Sequence, residues 1–187
     1  MRAYYHLSKT ALASGTVLTP VAWARQPQIQ VVLQAYKFGP THVQNLQLAE
    51  HLMNINLNRN DGTVTNGLTE IVFETVRDEE FATRTSRLRA VYLFPDLGDV
   101  NPFRERYPSR WYTLYEVSGP EELDAQRLDM KVLDAAVHSA TWEKPMVTQI
   151  EGLRGFARQY WQGEPNNAEP PVWEILTKMP VTVVRQL

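Results

Sequence analysis

Apolar residues follow different periods along this chain. The run Ala90-Val91-Tyr92-Leu93-Phe94 is continuous, follows the polar stretch 77–85 and is closed by Pro95-Asp96. A short apolar run rich in β-branched and aromatic residues predicts a buried central strand over 89–94. Alternation puts Val91 and Leu93 on one face, and Ala90, Tyr92 and Phe94 on the other. Residues 2–7, 111–117, 172–177 and 181–185 also read as strands, the last two as a closing pair joined by 177–180. Lys9 to Gly15 reads as a turn or short helix, and 29–33 as either a strand or the start of a helix.

Elsewhere the apolar spacing shifts to threes and fours. Val43, Leu46, Ala49, Met53 and Leu57 predict an amphipathic helix over 41–57, broken by Asn58-Arg-Asn-Asp-Gly62. A second helix is expected over 69–81 with Asn66 as its cap, a third over 124–137, and a fourth over 146–161 stopped by Gly163. Residues 99–109 read as a loop or irregular helix. Strands and helices are interspersed without the regularity of a βαβ series, which predicts an α+β fold in a single domain spanning 1–187.

Composition narrows the partners. The chain has 187 residues, 43% of them hydrophobic, and a net charge of −2. That suffices for a sizeable core and supplies no global basic field for nucleic acid or anionic membrane. There is no cysteine, which excludes disulfides, thiolate metal sites and a cysteine nucleophile, and fits a reducing cytoplasm. No run approaches membrane-spanning length, and the N-terminus lacks the apolar core of a secretory signal. Six arginines, from Arg84 to Arg110, fall within one segment, as a local anion site or as a solvated, ion-paired surface.

There is no Walker loop, no Gly-x-Gly-x-x-Gly, no His-Glu-x-x-His and no Gly-x-Ser-x-Gly. The histidines His6, His42, His51 and His138 are scattered, and nothing in their spacing suggests a metal site. Three positions stand out. Glu174 shares a strand face with Val172 and Leu176, so it is either edge-exposed or held in a cleft with partners, because an unpaired buried charge is costly. His6 lies on an early strand beside two tyrosines, as a packed residue or a ligand-binding one. Tyr92 sits mid-strand, for core packing or for stacking.

In order along the chain, these features resemble the ADP-ribosyltransferase superfamily in its His-Tyr-Glu, diphtheria-toxin-like branch. Tyr4-Tyr5-His6-Leu7-Ser8 is similar to the first motif of that branch, Ser86-Arg87-x-x-Ala-Val-Tyr92-Leu-Phe94 to its middle strand, and Val172-Trp173-Glu174-Ile175-Leu176 to its glutamate strand. More closely, the whole chain resembles an uncharacterised bacterial and phage family assigned to that superfamily. The arginine-targeting Glu-x-Glu or Gln-x-Glu pattern is missing, since Val172 stands two before Glu174.

The resemblance implies a split, mostly antiparallel sheet with NAD as substrate in the cleft between its halves. It implies that His6 binds a ribose hydroxyl or anchors NAD, and that Tyr92 stacks on nicotinamide, with Tyr4, Tyr5 or Phe94 as alternatives. It implies that Glu174 accepts a hydrogen bond from the ribose 2′-hydroxyl and stabilises the developing cation. Ser8, Arg87 and Arg89 join the expected NAD contacts, the arginines as pyrophosphate donors. The expected activity is transfer of ADP-ribose to a macromolecular acceptor, a protein rather than nucleic acid, in the cytoplasm of a bacterium or an infected host. The alternatives are NAD hydrolysis at the same site, RNA 2′-phosphotransfer, and a non-catalytic protein-binding module using Trp111, Trp142, Trp161 and Trp173 as exposed anchors.

Overall fold

A computed structural model describes residues 1–20, 63–106, 112–139 and 146–187. The helix expected over 41–57 and the segment 29–33 lie outside these residues. Among the described residues the fold is α+β, with four α-helices and two antiparallel sheets. In chain order the elements are β1 (Arg2–Ser8), β2 (Val17–Leu18), α1 (Thr63–Glu80), a 3-10 turn (Arg87–Arg89), β3 (Val91–Leu93), α2 (Leu97–Arg106) and β4 (Thr113–Gly119). A 3-10 segment (Glu121–Gln126) then leads to β5 (Arg127–Asp129), α3 (Met130–Ser139), α4 (Met146–Gln162), β6 (Trp173–Thr177) and β7 (Val181–Gln186). The chain groups into two compact units, one of Met1–Val21, Arg89–Lys131 and Gly163–Leu187, the other of Ala22–Leu88 and Val132–Gln162.

Both sheets belong to the first unit. One has the order β1-β4-β7-β2 and the other β3-β6-β5. β1 and β4 pair without interruption from Arg2↔Gly119 to Ser8↔Thr113. Among the described residues one isolated bridge ties the two sheets, with the Tyr5 N–H donating to the Phe94 carbonyl at 2.9 Å and the Phe94 N–H to the Tyr5 carbonyl at 2.8 Å.

Side-chain alternation sorts the apolar residues of this unit into two clusters. Tyr4, Tyr115, Val117, Val181 and Val183 of the larger sheet pack with Val91, Leu93 and Ile175 of the smaller. Tyr5, Leu7 and Leu114, from the opposite face, pack with Phe94, Val100, Phe103, Met130 and Val172. Gly119 closes β4 where a Cβ would come within 3.1–3.3 Å of Val181, Leu123 and Tyr4, so this crowded corner admits only glycine without a shift.

Four expectations need correction. The run 89–94 is not a central strand: its first residue ends a 3-10 turn, and β3 is a three-residue edge strand, because Phe94 leaves to pair with Tyr5 and Pro95 stops the ladder. β6 takes the central place. The helix expected over 124–137 begins only at Met130, since residues 127–129 pair with β6 and tertiary pairing overrides the helical spacing. β6 and β7 form as strands but do not pair with each other; the connection 178–180 carries the chain from one sheet to the other. Asn66 is no cap, because α1 already begins at Thr63. Residues 97–106 resolve the loop-or-helix choice as a helix, α2, with Pro102 inside it.

In the second unit α1 and α4 run antiparallel. The Trp161 indole N–H donates to the Phe73 carbonyl at 2.8 Å near one end, and Arg154 and Arg158 meet Glu79 and Glu80 near the other. Their facing residues, Val72, Phe73, Val76, Leu153, Ala157, Tyr160 and Trp161, are all buried. Gly163 ends α4 with φ at +80°, the left-handed stop its position predicts.

Candidate functional site

Glu174 lies on β6, the middle strand of the smaller sheet, and is 2% exposed. Its placement rejects the alternative of an edge glutamate facing water. Val172 and Leu176, on the same face, are buried too. Tyr92 pairs with Leu176 across the β3–β6 ladder, so Tyr92 and Glu174 are diagonal neighbours on one face, about 7–8 Å apart between Cα atoms. The Tyr92 side chain is half-buried.

The entrance to β6 is held by two buried acids that the sequence did not single out. Asp129, fully buried, accepts the Val172 N–H at 2.9 Å and the Lys131 N–H at 2.9 Å through Oδ1, and the Asn166 N–H at 2.8 Å through Oδ2. Its bond to Lys131 is that of an N-cap for α3. Asp99, in the first turn of α2, accepts the Trp173 N–H at 2.9 Å. Burial raises the Asp99 carboxyl above the ordinary carboxylate range, and the bond from Trp173 opposes that shift. The signal for Asp129 was its place just before the helix, obscured by starting that helix at Asp124. Asp99 had no local signal, because its partner is 74 residues away.

His6 is half-buried on β1, opposite Tyr115. Its Nδ1 lies 2.9 Å from the Tyr92 carbonyl oxygen. A carbonyl only accepts, so Nδ1 carries the hydrogen. Burial lowers the His6 pKa below 6.5, against the raising effect of that bond, so the ring is neutral at pH 7 and Nε2 keeps its lone pair. Among the described residues Nε2 has no hydrogen-bond partner. Tyr5 and Phe94 are paired and share a face, so alternation puts the His6 Cβ on the face opposite that of Tyr92 and Glu174. Tyr92 and Glu174 are thus neighbours on one face, and His6 is linked to them only through the Tyr92 main-chain carbonyl.

The remaining candidates fare differently. The Ser8 hydroxyl is tied into a turn with Thr10, donating to its carbonyl at 2.8 Å and accepting its N–H at 3.1 Å. Arg89 is exposed and makes no ion pair among the described residues. Arg87 belongs to the second unit, where it is 6% exposed, bonded to Glu70 at 2.9–3.0 Å and donating to the Tyr160 hydroxyl at 2.6 Å. Trp161 is fully buried and Trp173 half-buried, so Trp161 is no exposed anchor; Trp111 and Trp142 lie outside the described residues. Among the described residues no group of three acids or histidines is arranged to hold a metal, and no helix is long and apolar enough to cross a membrane.

A family model described as a protein of unknown function, DUF2441, matches residues 24–187, most of the chain. The chain belongs to the DUF2441 family. The match takes in Tyr92, Asp99, Asp129 and Glu174, while β1 with His6 and Ser8 precedes it. No curated protein matches the chain. The DUF2441 description names no substrate, so the activity has to be argued from the residues.

Proposed function

We propose that this DUF2441 protein cleaves NAD at the nicotinamide-ribose bond and transfers ADP-ribose to a macromolecular acceptor, a protein, in the cytoplasm of a bacterium or an infected host. The observation that carries this reading is Glu174, a carboxylate buried on the central strand of the smaller sheet, one step along the same face from Tyr92. When the N-glycosidic bond breaks, its electron pair leaves with the nicotinamide nitrogen and positive charge develops at the ribose. A fixed carboxylate stabilises that charge more than it stabilises bound NAD, which is the condition for raising turnover. The acceptor's nucleophile then bonds to the ribose carbon and gives up its proton.

Neutral His6 suits a ribose hydroxyl, since its Nε2 lone pair accepts from an O–H while Nδ1 stays on the Tyr92 carbonyl. Tyr92 supplies an aromatic face for nicotinamide. Of the two arginines expected at the pyrophosphate, Arg89 is exposed, whereas Arg87 is engaged by Glu70 and Tyr160.

The test is nicotinamide release and transfer of label from NAD by wild type and Glu174→Gln. Glutamine keeps the shape and removes the charge, so turnover should fall by roughly 10²–10³. Melting temperature and NAD affinity should change little. Unchanged turnover in folded Glu174→Gln would take Glu174 out of the mechanism. Nicotinamide release without label transfer would make water the acceptor.

A further inference from the structure

The geometry at the entrance to β6 has a specific cause. The β3–β6 register runs Val91↔Thr177, Tyr92↔Leu176, Leu93↔Ile175, and its continuation would set residue 95 opposite Trp173. That residue is Pro95, where the chain has already turned off toward α2, so the Trp173 N–H has no strand to pair with. On the other side, Arg127↔Ile175, Leu128↔Glu174, Asp129↔Trp173 would continue to Met130 opposite Val172. The Met130 N–H still donates to the Val172 carbonyl at 2.8 Å, but Met130 begins α3 and its own carbonyl points along that helix. The Val172 N–H is orphaned in turn. Both flanking strands end by becoming helices, and one acid beside each helix start reaches back to the stranded donor, Asp99 to Trp173 and Asp129 to Val172.

We infer that Asp99 and Asp129 are positioning residues for Glu174, clamping the two consecutive N–H groups before it so that its carboxylate is fixed at the reacting ribose. This rests on the NAD reaction proposed above. The clamp acts on both edges of the strand, so it resists sliding as well as tilt of residue 174. Asp129 also draws in the Asn166 N–H, while Lys131 pairs with Glu169 at 2.6 Å, so the loop leading to β6 is held by the same node. A carboxylate aligned to a developing cation loses its effect with small displacement, which is where such anchoring enters the rate.

Asp99 is the better residue to test, because Asp129 also caps α3 and its removal threatens the fold. Asp99→Ala removes the acceptor for Trp173. Asp99→Asn keeps a carbonyl oxygen there without a charge, and burial already disfavours the charge at this position. Amide hydrogen exchange and NAD kinetics should be measured on both variants. In Asp99→Ala, exchange at Trp173 should rise roughly 10-fold or more relative to the amides of β7, and kcat should fall about 10–100-fold with KM for NAD nearly unchanged. Asp99→Asn should restore both. In a Glu174→Gln background, Asp99→Ala should cost no further turnover, since the two changes act through one group.

Folded Asp99→Ala with wild-type exchange at Trp173 would overturn the clamp. So would wild-type kcat despite faster exchange, or a kcat loss that adds in full to that of Glu174→Gln. Wild-type protein that releases no nicotinamide would overturn the NAD reaction and the catalytic role with it. The exchange comparison needs no NAD and would still decide whether Asp99 holds the strand.

Discussion

The two units satisfy their buried charged groups in different ways. In the helical unit, charged side chains chiefly meet other side chains, although the Trp161 indole donates to the Phe73 carbonyl: Arg87 meets Glu70 and the Tyr160 hydroxyl, and Glu74 meets Arg77 at 3.0 Å and the Ser86 hydroxyl at 2.8 Å. In the sheet unit, they meet backbone: Asp99 and Asp129 accept N–H groups, His6 and Tyr4 donate to carbonyls, and the Tyr115 hydroxyl accepts the Leu12 N–H. The difference follows from the elements. Helices satisfy their interior backbone internally, so their buried side chains are free to pair. Strands of three residues that diverge or turn into helices leave donors and acceptors behind, and a buried backbone group without a partner is costly. Side chains that complete a ladder also fix it in place, so the sheet unit is where a group can be held to a narrow tolerance.

Asp129→Ala gives the largest expected effect. It orphans three backbone N–H groups, of Val172, Lys131 and Asn166, at about 1–3 kcal/mol each. That is a large part of the roughly 5–15 kcal/mol that holds an ordinary domain. Urea unfolding should show the loss, and no second substitution can recover it, because the partners are main chain. A loss below about 1 kcal/mol would break the comparison.

Arg87→Met is the matched experiment in the helical unit. Leaving Glu70 without its guanidinium should cost about 3–5 kcal/mol, toward the lower end because Glu70 keeps some solvent contact. Here a second change does recover stability: Arg87→Met with Glu70→Leu should regain at least about half of it, since replacing both partners of a buried pair by apolar groups is often close to neutral. Failure of the double variant to recover would mean that the bond to the Tyr160 hydroxyl outweighs the pair with Glu70.

The sequence made legible what depends on local pattern. The α+β class, the face shared by Val91 and Leu93, the stop at Gly163 and the strand carrying Glu174 follow from alternation, helical spacing and glycine placement. What escaped were features set by distant partners. Residues 127–129 carry helical spacing but pair with β6. The run ending at Phe94 is as apolar as a central strand, yet its last residue turns to Tyr5. Arg87 resembles an anion donor until Glu70 and Tyr160 are seen to occupy it. For the candidate site, His6, Tyr92 and Glu174 are visible as residue types, while Asp99 and Asp129 become visible only through the donors that diverging strands leave behind.

The smallest effect expected is a pH slope at His6. The ring's folded-state pKa is below its ordinary 6.5, with burial as the main cause and the bond to the Tyr92 carbonyl opposing it. Between those two values the unfolded chain binds more protons at this position than the folded one, so stability rises with pH. His6's contribution is therefore complete above about pH 6.5 and is lost as pH falls through the unfolded value toward the lower folded one. Asparagine at this position can still donate to the Tyr92 carbonyl but does not titrate. Wild type should accordingly lose stability relative to His6→Asn as pH is lowered from about 8 to about 5, measured as paired melting temperatures. Parallel melting curves for wild type and His6→Asn would show that His6 is solvated enough to titrate normally. It would then no longer count among the side chains whose burial completes the sheet, and it would be protonated at mildly acid pH, with no lone pair left for a ribose hydroxyl.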